Sequence, residues 1–97
     1  MNFEVVIRRR CLDFLHGLDD KSRRIIRTRL ATLGEDPYPG KGGDKELIKA
    51  PKGKNKEKVY RLHINHHFTA FYTITEKTVS VTEVLTIEQA HKKYGLL

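Results

Sequence analysis

The feature that most constrains the fold is the alternation of apolar and polar residues in the last third of the chain. It occupies three stretches, 59–64, 68–75 and 78–85, which are separated only by short segments rich in turn-forming and polar residues. A period of two places most apolar side chains of a stretch on one side, as in a half-buried β-strand. Connections this short join antiparallel neighbours. The sequence therefore predicts an antiparallel three-strand meander.

The first third of the chain predicts a strand followed by two helices. Phe3–Arg8 is rich in β-branched residues and is expected to join the meander at an edge. In Arg9–Leu18 apolar residues recur at helical spacing. A second helix is expected from Asp19, whose side chain can accept orphan N–H groups, to Gly34, where helices commonly end in the left-handed conformation.

The remaining segments predict little regular structure apart from one helix. Residues 34–58 read as a turn-rich connection with a brief extended piece at 46–49. Thr86 and Gln89 have the spacing of a capping box, so a short helix is expected from there to Gly95. The predicted class is α+β: a strand, a two-helix hairpin, a meander completing one sheet, and a short C-terminal helix. Residues 1–97 are expected to form a single domain.

The charge of the chain predicts a polyanionic partner. Nineteen Lys and Arg residues face twelve Asp and Glu, a net charge of +7, and seven lysines but three acids lie between residues 41 and 58. A positive field of this size attracts nucleic acid or an acidic protein. The alternative is a basic surface that only confers solubility.

The sequence predicts a cytoplasmic protein. The one cysteine, Cys11, cannot form an internal disulfide, and no apolar stretch reaches the ~20 residues needed to cross a membrane. The first residues lack the pattern of a signal peptide. Adjacent histidines at 66 and 67 do not converge easily on a metal, so neither a metal site nor a cofactor is predicted.

Three passages together resemble the RelE/ParE toxin superfamily: 18–37, 59–64 and 68–74. The first is similar to the family's helical hairpin, and the others to its strands Tyr-basic-apolar-basic-apolar and aromatic-Arg-apolar-apolar-Tyr. The resemblance implies a toxin of a type II toxin–antitoxin pair that cleaves mRNA in the ribosomal A site without a metal. It implies mRNA, the ribosome and a cognate antitoxin as partners, no membrane, and a monomer or a toxin–antitoxin hetero-oligomer.

The resemblance also implies candidate catalytic residues. Glu46 corresponds to the base of the YoeB-like branch, although it can equally be an exposed loop glutamate. Arg61 and His63 are two residues apart on one strand and can face a single phosphate; the alternative is a solvated sheet face. The family often places its acid after the last strand, where His91 and Tyr94 are available.

Basic residues outside this set are candidates for contacts to RNA backbone. Such contacts give affinity without reading sequence. The alternative is again a solvated charged surface. The predicted RNA-binding residues are Lys49, Lys52, Lys54, Lys56, Lys58, Arg23, Arg24 and Arg27.

Thr69 departs from the family pattern. The family commonly has an arginine at this position, placed against the scissile phosphate, and a threonine carries no charge. Two other functions therefore stay open: a ParE-like inhibitor of DNA gyrase that cuts nothing, and an inactive relative that binds an antitoxin or DNA.

Overall fold

The computed structural model contains a single mixed sheet of five strands in the order β1-β5-β4-β3-β2. The structure describes residues 2–40, 42–48 and 58–94, with the side chain of Tyr94 left outside. The predicted α+β class and order of elements are confirmed. The elements are β1 (Glu4–Ile7), α1 (Arg9–His16), α2 (Asp20–Ala31), a 3-10 turn (Thr32–Gly34), β2 (Lys45–Ile48), β3 (Val59–Ile64), β4 (Phe68–Thr75), β5 (Thr78–Thr86) and α3 (Ile87–Tyr94).

The core lies between α1, α2 and one face of the sheet. The alternating apolar residues of β3 and β4 face this side, as predicted, and the apolar stripes of both helices cover them. Side chains of this core that are at most 2% exposed are Cys11, Leu15, Ile26, Leu30, Leu33, Leu62, Ile64, Ala70, Tyr72, Val79, Val81 and Val84. The residues between them on β3 therefore point to the opposite face.

A β-bulge breaks the alternation in β5. Tyr72 pairs with Val81 whereas Phe71 pairs with Glu83, so Thr82 is an additional residue on β5. The bulge places Val84 in the core and turns Glu83 to the opposite face. Strict alternation from Val81 would have put Glu83 in the core, which the bulge avoids.

The two edges of the sheet differ. β1 is the predicted edge strand and pairs with β5 in parallel. At the other edge β2 pairs antiparallel with β3, with Glu46 opposite Arg61. The predicted extended piece at 46–49 is thus a true strand over Lys45–Ile48, and residue 49 lies outside the described residues.

The second helix ends at Ala31, and the 3-10 turn that follows it ends at the predicted Gly34 for a different reason than predicted. Gly34 does not adopt the left-handed conformation; among the described glycines, Gly43 is the one with a positive φ. Instead the chain passes close to β1: the Phe3 amide donates to the Gly34 carbonyl at 2.6 Å, and a Cβ on Gly34 would lie 3.2 Å from the Phe3 carbonyl oxygen. Glycine, which has no side chain, therefore allows the backbone at residue 34 to pack closely against Phe3.

Asp19 and Thr86 lie where the helix starts were predicted, but of the two only Thr86 caps its helix through its side chain. Asp19 is the N-cap of α2 but makes no side-chain cap hydrogen bond; its carboxylate interacts with the Ser22 hydroxyl, which lowers the pKa of Asp19. The capping box before α3 is confirmed in full. The Thr86 amide donates to Gln89 Oε1 and the Gln89 amide donates to Thr86 Oγ1, each at 3.0 Å.

Candidate functional site

Three predicted catalytic residues meet on the face of the sheet opposite the core. The register of β2 and β3 places Glu46 directly beside Arg61, and the period of two brings His63 to the same side. Arg61 Nη2 donates to Glu46 Oε1, and His63 Nε2 lies 3.6 Å from Glu46 Oε2. One carboxylate thus contacts both basic side chains, which confirms that Arg61 and His63 share a face.

Two nitrogens of the Arg61 guanidinium make no hydrogen bond within the described residues. Its side chain is 7% exposed, and among the described residues Nε and Nη1 have no hydrogen-bond partner. Buried N–H groups of a cation without an acceptor are costly, so an anion that reached them would be bound strongly. Both nitrogens are themselves buried, so a phosphate can contact them only after Glu46 or the Arg61 side chain moves.

The pKa of Glu46 is held below its usual value. Burial by itself raises the pKa, but the hydrogen bond and the charge of Arg61, with a smaller contribution from His63, outweigh it. Glu46 is therefore ionised at neutral pH but is a weaker base than an isolated glutamate. Because Glu46 already binds Arg61 and lies beside His63, a phosphate must compete with it for both side chains.

A second ion pair, which the sequence did not predict, holds β2 in place. Arg29 of α2 donates to Asp44 Oδ2 at 2.6 Å, and the His63 amide donates to the Asp44 carbonyl at 2.8 Å. The hydrogen bond from Arg29 lowers the pKa of Asp44. The only local signal is the turn sequence Gly42-Gly43 directly before Asp44, and that signal marks a turn without naming the partner.

Solved structures show what this chain is similar to. The RelE–RelB complex of Pyrococcus horikoshii OT3 matches with a TM-score of 0.71 and 16% identity, over 89% of this chain and 96% of that one. The YoeB dimer of Staphylococcus aureus matches with a TM-score of 0.61 and 15% identity, over 86% and 94%. A mutant E. coli RelE toxin in the free state matches with a TM-score of 0.57 and 17% identity, over 98% of this chain and 93% of that one.

The chain has the RelE-like toxin fold. The resemblance inferred from the sequence is confirmed at the level of the fold. No protein-family model matches the sequence, and no curated protein matches it.

Within this RelE-like fold, Thr69 is not placed to bind a phosphate. Its side chain is fully buried on β4, and its hydroxyl donates to the Leu62 carbonyl at 3.3 Å. The hydrogen bond that a threonine can offer is therefore already used inside the sheet. Any cation that assists at this site has to come from Arg61 or from another part of the chain.

The predicted arginines of α2 lie on the helical side of the RelE-like fold, apart from the Glu46 cluster. Arg24 and Arg27 are exposed. Arg23 is half-buried and bound locally, to the Asp20 carboxylate and to the Leu15 carbonyl at 3.3 Å. Arg23 thus stabilises the hairpin, whereas the other two are free to contact a partner.

The histidine predicted after the last strand lies beside a groove. His91 is exposed on α3 and lines a groove of about 860 Å³ together with His66, His67 and Lys21. An adjacent cavity of about 570 Å³ contains His63. The two cavities share Asn65, His66 and Ile87, so His91 and His63 open onto one connected surface.

Several predicted residues cannot be placed. Lys58 is described and exposed, but the side chain of Tyr94 and four predicted RNA-binding residues lie outside the described residues: Lys49, Lys52, Lys54 and Lys56.

Across the described ranges, no group of three His, Cys, Asp or Glu side chains is arranged to hold a metal. No helix in the part of the chain that the structure describes is long and apolar enough to cross a membrane.

Proposed function

We propose that this chain is the toxin of a type II toxin–antitoxin pair and that it cleaves mRNA in the ribosomal A site. The observation that carries the proposal is the cluster of Arg61, His63 and Glu46 on the face of the sheet opposite the core. It combines a buried cation with unused donors and two groups that can exchange protons. The fold, shared with RelE and YoeB toxins, supports the same function.

The reaction needs no metal. The 2′-hydroxyl loses a proton and attacks the adjacent phosphorus, the bond to the 5′ oxygen breaks, and that oxygen takes up a proton. A 2′,3′-cyclic phosphate and a 5′-hydroxyl end remain. Such a step needs a base, a cation for the phosphorane and an acid.

The residues divide these tasks by their chemistry. Arg61 binds the phosphorane, since a guanidinium stays charged at any pH and offers donors in a fixed fork. Glu46, or His63 oriented by Glu46, accepts the proton of the 2′-hydroxyl. His91 or Tyr94 protonates the 5′ oxygen; of the two, His91 is the one known to open onto the same connected surface.

The basic surface outside the cluster provides affinity. Arg24, Arg27 and Lys58 are exposed, and lysines 49, 52, 54 and 56 add to the same charge. We assign them to phosphates of mRNA and ribosomal RNA, for which sequence-independent contacts suffice. The same charge suits an acidic antitoxin, and the RelE structure of P. horikoshii is a complex with RelB.

The test is a defined translation reaction in which new mRNA 5′ ends are mapped, with naked mRNA in parallel. We expect cuts at A-site codons only when ribosomes are present. Arg61→Ala should lower the rate by about 100-fold or more, and Arg61→Lys should recover only part of it. Lys77→Ala, at the opposite end of the sheet, removes the same charge and should leave the rate unchanged.

A second candidate function is inhibition of DNA gyrase by binding. The observation that favours it is Thr69, which is buried and hydrogen-bonded at the position where the family commonly has an arginine. If no mRNA is cut with or without ribosomes while purified gyrase is inhibited, the proposal of mRNA cleavage is wrong and gyrase inhibition is supported.

A further inference from the structure

The groove between the start of α2, the β3–β4 turn and α3 has the lining of a nucleotide site. Phe68, Ile25 and Ile87 are its less exposed, apolar part. The exposed part carries Lys21 and Lys92 and the imidazoles of His66, His67 and His91. Glu88 is the single acid among the lining residues, so the groove favours an anion.

The rings in the groove are held in a fixed arrangement. His67 and Phe68 meet edge to face, with ring centroids 6.4 Å apart and an interplanar angle of 68°. Asn65 and His66 both have positive φ, at 54° and 59°, in a turn where glycine would be relaxed. Non-glycine residues in this conformation are often found where a side chain must be presented to a ligand.

The groove adjoins the proposed cleavage site at His63, whereas Arg61 and Glu46 are not among the described lining residues of either cavity. Its neighbour, the cavity of about 570 Å³ that contains His63, shares Asn65, His66 and Ile87 with it. A polymer bound at His63 would therefore reach the groove past Asn65 and His66. A short apolar floor of three residues suits a base better than an amphipathic helix, which needs anchors over two turns.

We propose that this groove binds a nucleotide of single-stranded RNA adjacent to the cleaved phosphate, with its base against His66 and His67 and its phosphates at Lys21 and Lys92. The inference rests on the proposed function for the identity of the polymer. Aromatic and imidazole rings stack on any base, and lysines bind phosphates regardless of sequence. The site therefore adds affinity and positions the strand without selecting a codon.

The test uses the full chain and a short, noncleavable 2′-O-methyl RNA that contains 2-aminopurine. Because the chain has no tryptophan, the fluorescence of the probe is read without interference. We expect quenching on binding, and about tenfold weaker binding with lost quenching in the variant with both His66→Ala and His67→Ala. The variant with both Lys21→Ala and Lys92→Ala should reduce the slope of log K against log salt by about 1.4.

Matched controls separate this inference from the proposed function. Lys77→Ala should change neither quenching nor the salt slope. If the wild type cuts mRNA but the groove variants bind the probe as the wild type does, the groove inference alone is wrong. If the probe binds through the groove but nothing is cut, the groove is an RNA-binding site, but the proposed cleavage and the place of the groove beside a cleaved phosphate are wrong. Binding of an acidic peptide that depends on Lys21 and Lys92, without RNA binding, would overturn the groove inference in favour of a protein partner.

Discussion

At the scale of single residues, Glu46 is the most informative side chain of this RelE-like fold. Its carboxylate contacts Arg61 and His63 together, as the oxygens of a phosphate would. Because its pKa is lowered, the carboxylate is charged at neutral pH and opposes the binding of the RNA that we propose as substrate. The same group is thus a candidate base and an obstacle to the substrate.

We expect Glu46→Gln to separate these two effects. Removing the charge should tighten binding of noncleavable RNA about threefold to tenfold, because a repulsion of about 1 kcal/mol disappears. Cleavage should slow by about 100-fold or more if the carboxylate is the base. Fluorescence anisotropy and mapping of 5′ ends measure the two outcomes.

Glu76→Gln is the control for Glu46→Gln. It makes the same change of charge in the β4–β5 turn and should leave both measurements as in the wild type. If Glu46→Gln bound RNA no more tightly than this control, Glu46 would not compete with phosphate. Unchanged cleavage would assign the base to His63.

Cys11 should be unreactive in the folded chain. Burial raises the pKa of its thiol, and Sγ lies 3.6 Å from the Val81 carbonyl oxygen in the core. We expect alkylation at pH 8 to be at least about 100-fold slower than in urea, since it requires opening of the structure. Fast alkylation without denaturant would show that α1 detaches readily from β5.

At the scale of elements, the segment that follows α2 approaches the start of β1 closely at Gly34. The Gly34 carbonyl accepts a hydrogen bond from the Phe3 amide, and a Cβ on Gly34 would be in tight contact with the Phe3 carbonyl oxygen. Besides the ladder that β1 forms with β5, this backbone hydrogen bond joins the start of the edge strand to the end of the helical hairpin. A substitution at Gly34 tests this contact without altering any charge.

We expect Gly34→Ala to lower the free energy of unfolding by about 1–2 kcal/mol, because the added Cβ would lie 3.2 Å from the Phe3 carbonyl oxygen. Urea denaturation measures the change. Gly40→Ala is the matched control, since nothing lies within 4 Å of a Cβ there, and it should be neutral or slightly stabilising. Equal stability of both variants would mean that β1 shifts without cost.

At the scale of the whole molecule, two ion pairs attach the edge strand β2 to the rest. Arg29 binds Asp44 from α2, and Arg61 binds Glu46 from β3. The pKa of each carboxyl is lower in the folded chain than in the unfolded one. Both groups therefore stabilise the fold above the ordinary carboxyl range, and this stabilisation is lost as the pH falls through their folded values.

We expect the chain to lose stability between about pH 5 and pH 3. Asp44→Asn should lower the free energy of unfolding at pH 7 by about 0.5–1 kcal/mol and flatten this acid dependence. Urea melts across the pH range measure both effects. A wild type whose stability does not change down to pH 3 would contradict the role of these pairs.

Much of the fold was determined by the sequence alone, because its signals are local. The period of two from Val59 onward, the helical stripe before Leu18 and the capping box at Thr86 each depend on residues a few positions apart. The shared face of Arg61 and His63 follows from the same period. The bulge at Thr82 and the true role of Gly34 were not predictable, since both depend on distant partners.

Only the tertiary structure decided which residues form a site. Glu46 lies fifteen positions before Arg61 in sequence, and strand pairing alone makes them neighbours. The Arg29–Asp44 pair and the burial of Thr69 also depend on packing between elements. The direction in which the pKa of Glu46 shifts could not be predicted from the sequence either. Burial raises this pKa and the nearby Arg61 lowers it, and the balance depends on the distance between the carboxylate and the guanidinium.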